Sequence, residues 1–198
     1  MKKLLLSAAA GFLFSGMIMT APFLKLSYAQ SQTDEREKLA TETEAYCKST
    51  AKEQPTKPGT VIEKVDEACK LIEQEGPAAF PKFKGNGSPF IFEGTYIWIH
   101  TLNGAIMLMH PIKYKMEGNQ YVDLQDKSGK RFFAIMNDLV KEKGAGWVDY
   151  LWPVPGSKEI QRKISYVKLC KMPDGTTVVL GCGMYKYSEE DIAKLEVR

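Results

Sequence analysis

The sequence predicts an α+β domain, five antiparallel strands with helices packed against them. Three observations carry that reading. Apolar residues up to about residue 76 recur at helical spacing, the period then changes to alternation at Thr95-Tyr96-Ile97-Trp98-Ile99-His100, and three more strand-like runs close the chain, separated by turn residues. A chain of 198 residues, even after loss of a leader, is long enough for one full hydrophobic core.

Taken in order, residues 1–29 have Lys2 and Lys3, the apolar run 4–19 and a small-residue end at Ser27-Tyr28-Ala29, the layout of a secretory signal peptide cleaved after Ala29. The alternative is an uncleaved inner-membrane anchor, since apolar character continues almost to Leu26 and nears the roughly 20 residues that span a bilayer. Pro22 and Lys25 interrupt the run and favour processing. Residues 33–52 are charged and helix-favouring, with Leu39, Thr43, Tyr46 and Thr50 on one face. After the breaker Gln54-Pro55-Thr56-Lys57-Pro58-Gly59, Thr60 is expected to cap a second helix carrying Val61, Val65, Ala68 and Ile72, so that residues 33–76 form an antiparallel helical pair.

The strand at residues 95–100 turns at Asn103-Gly104 and returns over 105–110, where Pro111 stops it. A helix near residues 130–143 puts Phe132, Phe133, Met136, Leu139 and Val140 on one side. Strands near residues 146–152, 161–171 and 176–186 follow, and Ser188 with Asp191 caps a last helical turn. Helix pair, hairpin, helix and three antiparallel strands make a PAS-like order, with the helices expected on one face of the sheet.

Composition narrows the function. Lys2, Lys3 and Lys25 belong to the leader, so the 27 basic residues become 24, against 24 acids. A balanced chain without a basic block excludes nucleic acid as a partner, since that needs clustered Lys and Arg. The balance is uneven: residues 30–76 hold 7 bases and 11 acids and residues 77–198 hold 17 and 13, and a mildly cationic C-terminal part suits an anionic ligand. Cys47, Cys69, Cys170 and Cys182 read as disulfides in an oxidising compartment. Four cysteines allow three connectivities, and Cys47 with Cys69 and Cys170 with Cys182 are favoured because each pair flanks a turn; the second needs a bulge or longer loop. No short Cys-x-x-Cys spacing exists, and His100 and His110 are not placed to complete a metal site, so no metal and no cofactor is expected. Nor is there a Gly-x-Ser-x-Gly elbow, a His-Glu-x-x-His pair or a phosphate loop, which leaves an enzyme without a constellation of residues.

The binding signal lies between Gly144 and Tyr185. Strand alternation puts Tyr150 and Trp152 on one face, and Lys163 enters at the start of the next strand, the chemistry of a small pocket that holds an anion between aromatic walls. Two plainer readings compete: rings that only fill a core, and a Lys163 paired with Asp123, Asp126 or Asp149. His100, beside a turn, is expected to be solvated.

Tyr96-Ile97-Trp98, Asn103-Gly104, His110-Pro111, Gly118-Asn119, Asp126-Lys127-Ser128-Gly129, the run from Gly144 to Trp152, Lys163-Ile164-Ser165-Tyr166-Val167 and Gly181-Cys182-Gly183-Met184-Tyr185 resemble, in order and spacing, the single Cache domain of the second type. The resemblance covers residues 33–187 and implies one domain over 30–198, an extracytoplasmic sensor module like those of bacterial chemoreceptors and sensor kinases. It implies a periplasmic or secreted protein that binds a short carboxylate such as acetate, propionate, lactate or pyruvate. Carried over, the ligand site is Tyr96, Trp98, His110, Tyr150, Trp152, Lys163 and Tyr166, the last on the face opposite Lys163 unless a bulge intervenes. The implied partners are the small anion and a separate membrane-bound sensor kinase, receptor or transporter, with a homodimer formed through the N-terminal helix. The competing expectation is a structural or protein-interaction domain that keeps the fold without binding ligand.

Overall fold

The computed structural model describes residues 21–198, with side-chain surroundings from Ala29 onward, so most of the expected leader lies outside the described residues. No helix among the described residues is long and apolar enough to cross a membrane. The chain divides into two compact units, Met1–Asp34 and Glu35–Arg198. In the first, Gln30 donates to Asp34 and Thr33 to the Ala29 carbonyl, both one helical turn apart. Apart from the start of helix α1, everything below concerns the second unit.

Helix α1, Ala21–Ser49, starts earlier than the spacing predicted. Its buried stripe is Ala40, Thr43 and Cys47, while Leu39 is 38% exposed, so the apolar face is narrower than expected and shifted by one residue. Thr43 accepts from the Gly85 amide at 2.8 Å and Glu44 from the Gly156 amide at 3.0 Å, so polar contacts hold this helix. Helix α2, Pro58–Glu75, buries Val61, Val65, Ala68, Cys69 and Ile72 on one face. Full burial of a Val or Ile is worth about 1.5–3 kcal/mol, which explains why this stripe fixes the helix. Pro58 opens it, and no side chain caps it, so Thr60 does not have the capping role expected.

The sheet has six strands: β1 Ile91–Phe92, β2 Thr95–Thr101, β3 Met107–Met109, β4 Ala145–Pro153, β5 Ile160–Lys171 and β6 Thr177–Met184. All pairings are antiparallel, in the order β1-β2-β6-β5-β4, with β3 added to β2. Gly104 takes φ +75° in the turn after β2, as the Asn-Gly pair predicts, but β3 is shorter than expected because the ladder shifts register between Ile99 and His100. Helix α3, Phe132–Lys143, packs on β4 and β5, and the short α4, Glu189–Ile192, is capped by Ser188 as the sequence indicated.

Alternation along each strand splits the core in two. One face carries Ile97, Ile99, Ile164, Val178, Leu180 and Met184 against α2. The other carries Tyr96, Trp98, Val148, Tyr150, Val167 and Val179 against α3 and Cys47. Helices therefore cover both faces, not one, because α2 and α3 each have a buried stripe that needs its own apolar partner.

That arrangement corrects the cysteine pairing. The bond is Cys69–Cys170, with Cα atoms 5.8 Å apart, and Cys47 and Cys182 are free and buried. Cys47 sits with the aromatic cluster and Cys69 with the opposite one, so they cannot staple a helical pair. Cys170 lies opposite Val178, while Cys182 lies opposite Tyr166, four residues back along β5 and roughly 13 Å away at 3.3 Å per residue. Cys170 faces α2 because the even-numbered positions of β5 do.

Candidate functional site

Odd-numbered positions of β5 project onto the aromatic face, and Lys163 leads them. Its side chain is fully buried, and its Nζ is the buried side-chain nitrogen or oxygen among the described residues that lacks a hydrogen-bond partner. The ammonium rests among rings, 4.3 Å from the Tyr96 centroid, 4.9 Å from Trp98 and 5.1 Å from Tyr185. The aspartates that could have neutralised it are engaged elsewhere: Asp123 with Arg131, Asp126 with Ser128, Lys130 and the Leu151 amide, Asp149 with Lys130 and Arg162. Burial pulls the lysine down from 10.5 to about 8.

Six of the seven predicted residues, Tyr96, Trp98, His110, Tyr150, Trp152 and Lys163, line one cavity together with Met107, Phe132 and Phe133. Tyr166 does not. It is half-buried on the α2 face beside Trp147, 5.2 Å between ring centroids, because an unbroken strand puts positions 163 and 166 on opposite sides. The cavity's free volume is ≈ 10 Å³, about one water, so its walls close around the ammonium.

The polar groups at the wall are fixed. Nδ1 of His110 accepts from the Lys113 amide at 2.9 Å and the Ile112 amide at 3.3 Å, so the ring proton sits on Nε2 and the imidazole meets the cavity as a neutral donor. Burial, then the charge of Lys163, hold His110 well below its ordinary range. Glu117 anchors the same turn, accepting from the His110 amide and from Lys84 and Arg36. The Tyr96 hydroxyl accepts from Trp152 Nε1 at 3.2 Å and Tyr150 pairs with Ser165 at 3.1 Å. Burial pushes both phenols up, so they stay protonated. Phe132 stacks on Tyr150 at 4.3 Å and forms the apolar end. A cation and neutral donors without a carboxylate are chemically able to hold a small anion with an apolar tail.

Sequence reasoning passed over several members. Phe132 and Phe133 read as helix core, yet they also wall the cavity. His100, expected to be solvated, is fully buried between Trp98 and Asn137 because it shares the inward face of β2 with Trp98. Gly181 and Gly183 lie directly under the Trp98 and Lys163 side chains. A Cβ at Gly181 would stand 2.6 Å from Trp98 Cε2, and one at Gly183 2.9 Å from Lys163 Cγ. Alternating glycines inside a strand were the available signal of such close approach. Among the described residues Cys69, Glu73 and Cys170 could in principle group around a metal, but the two cysteines are bonded to each other.

Comparison with known proteins bears on the family and the fold. The family model for the Cache domain, dCache_2, matches residues 87–198. Methyl-accepting chemotaxis protein McpP of Pseudomonas putida (strain KT2440) is 38% identical over 90 residues, 46% of this chain and 16% of that protein, so the chain corresponds to a small part of its length. A solved periplasmic sensor domain of a chemotaxis protein is 30% identical at a TM-score of 0.52, covering 64% of this chain and 93% of its own. A methyl-accepting chemotaxis protein of Vibrio parahaemolyticus RIMD 2210633 shares the fold, with 19% identity, a TM-score of 0.51 and coverage of 81% and 95%. The chain belongs to the Cache family of extracytoplasmic sensor domains, with a single domain of the second type.

Proposed function

We propose that this domain senses a short-chain monocarboxylate of the acetate, propionate, lactate or pyruvate kind in the Lys163 cavity, in the periplasm, and signals through a separate membrane-bound kinase, receptor or transporter. The observation that carries the reading is the buried, unpaired ammonium of Lys163. A lone buried cation costs several kcal/mol and is worth keeping where a partner arrives from outside. Tyr96, Trp98, His110, Tyr150 and Trp152 complete the site. The single cation favours one carboxylate over two, and Met107, Phe132 and Phe133 leave an apolar end for a methyl or ethyl group. Entry needs the walls to move outward, and Trp152, half-buried where the other lining residues are buried, with Lys113 Nζ 5.8 Å from its ring centroid, is the side chain by which the cavity would open.

Thermal melting of the mature protein against acids of two to four carbons tests this. An acid at a hundred times its Kd adds about 2.7 kcal/mol of stability. Wild type should shift with at least one acid and Lys163→Ala with none; equal shifts in both would remove the proposal.

A free volume of ≈ 10 Å³ favours a second reading, a Cache domain whose cavity is filled by its own side chains and which serves in protein interaction, with the N-terminal helix as a homodimer surface. Under that reading no acid shifts the melt. The measured mass of the mature chain then falls from dimer to monomer when residues 30–54 are removed.

A further inference from the structure

We propose that His100 is a positioning residue of the ligand cavity, holding the Trp98 indole so that its face meets Lys163. This rests on the cavity being the ligand site. An indole N–H can only donate, so the 3.2 Å contact from Trp98 Nε1 requires a bare Nδ1 on His100. The ring proton is therefore on Nε2, which donates to Asn137 Oδ1 of α3 at 3.0 Å. All three side chains are buried. The His100 ring also meets Phe133, a wall of the cavity, edge-on at 5.0 Å.

Trp98 is thus fixed at its edge by His100 and along its ring by the bare Gly181, and it presents its face to the ammonium 4.9 Å away. Removing the acceptor strands a buried N–H, and the indole must turn to satisfy it. Lys163 then loses a wall. The side-chain contacts of His100 are Trp98, Phe133 and Asn137, its strand partners are Met107 of β3 and Val179 of β6, none of these titrates, and no charged group acts on the ring. Burial accordingly holds the ring neutral, at about 4.

Three variants test the chain of contacts. In His100→Gln the amide can accept from Trp98 and donate to Asn137, and acetate affinity should stay within about threefold of wild type. In His100→Leu it should fall about tenfold or more, the loss expected for a stranded donor. In Asn137→Asp a carboxylate beside Nε2 raises His100; once protonated, Nδ1–H opposes the Trp98 N–H. That variant should gain a tryptophan-fluorescence transition between pH 5 and 7 that the added change Trp98→Phe abolishes. Equal acetate affinities in the Gln and Leu variants, both folded by circular dichroism, overturn the proposal. So does a fluorescence profile in Asn137→Asp that matches wild type. If wild type binds no acid at all, the sensing function fails while the fluorescence comparison still decides the role of His100.

Discussion

Lys163 crosses β6 over the bare Cα of Gly183. A Cβ there would stand 2.9 Å from Lys163 Cγ and nearer still to Lys163 Cε and Ser165 Oγ, closer than side chains approach one another. Gly183→Ala must therefore push the lysine stem and Ser165 off the strand. Overpacking of this kind costs about 1–3 kcal/mol. The expected outcome is a folded protein with a lower Tm and no stabilisation by acetate or propionate, whereas a variant that keeps both would show that the lysine can relocate freely. Circular dichroism melts with and without each acid read both quantities.

Replacing the cation itself should have the opposite effect on stability. Burial holds Lys163 at about 8 against 10.5 in a free side chain, so the charged form is disfavoured at neutral pH by a few kcal/mol, at about 1.4 kcal/mol per tenfold. The rings of Tyr96, Trp98 and Tyr185 return part of that through cation–π attraction, of order 2 kcal/mol when desolvated. Lys163→Met fills the same volume without charge and should stabilise the ligand-free protein by about 1–2 kcal/mol while abolishing acid binding. Urea titration measures the first effect. A destabilised Met variant would mean that the ammonium has an internal partner after all.

The same group sets the pH dependence. Its folded value lies below its unfolded one, so between about 8 and 10.5 the unfolded chain binds the extra proton and the stability of wild type relative to Lys163→Met rises with pH. Below about 8 both states hold the proton and the penalty is constant. An anionic ligand requires the ammonium, so affinity should be flat from pH 6 to 7.5 and fall above 8, approaching tenfold per pH unit. His110 stays neutral over that range and adds no limb. Isothermal titration with acetate at pH 7, 8 and 9 checks this; an affinity that holds constant to pH 9 excludes Lys163 as the anion's partner.

What the sequence revealed and what it hid have separate physical origins. Tyr150, Trp152 and Lys163 were legible because a strand's period of two is rigid, and the same rule placed Tyr166 on the far side. Five of the six strands followed from alternation and turn residues, while β1, two residues long, is too short to show a period. Which face each helix covers was not legible, because α2 and α3 both carry one apolar stripe and a stripe does not name its partner. Cysteine pairing failed for the same reason: Cys69 and Cys170 are 101 residues apart, and only the packing of α2 on β5 brings them together. His100 was hidden because a buried imidazole needs two polar partners, and Asn137 on a distant helix gave no local signal.

The cysteines yield a last expectation. Cross-linking residues 101 apart removes loop entropy from the unfolded chain worth about 4–5 kcal/mol in the chain-entropy model. Cys69→Ala with Cys170→Ala should therefore lower stability by several kcal/mol, and reduction of wild type should do the same. Cys47→Ser and Cys182→Ser remove no bond. The thiols of Cys47 and Cys182 are pushed up to about 12 and about 11 by burial, so little thiolate exists near neutral pH. Alkylation of the unreduced native protein should proceed only as fast as it opens, and in denaturant two thiols per chain should label, at Cys47 and Cys182. Peptide mapping that instead finds label on Cys69 or Cys170 would assign the bond elsewhere and with it the packing of α2 on β5.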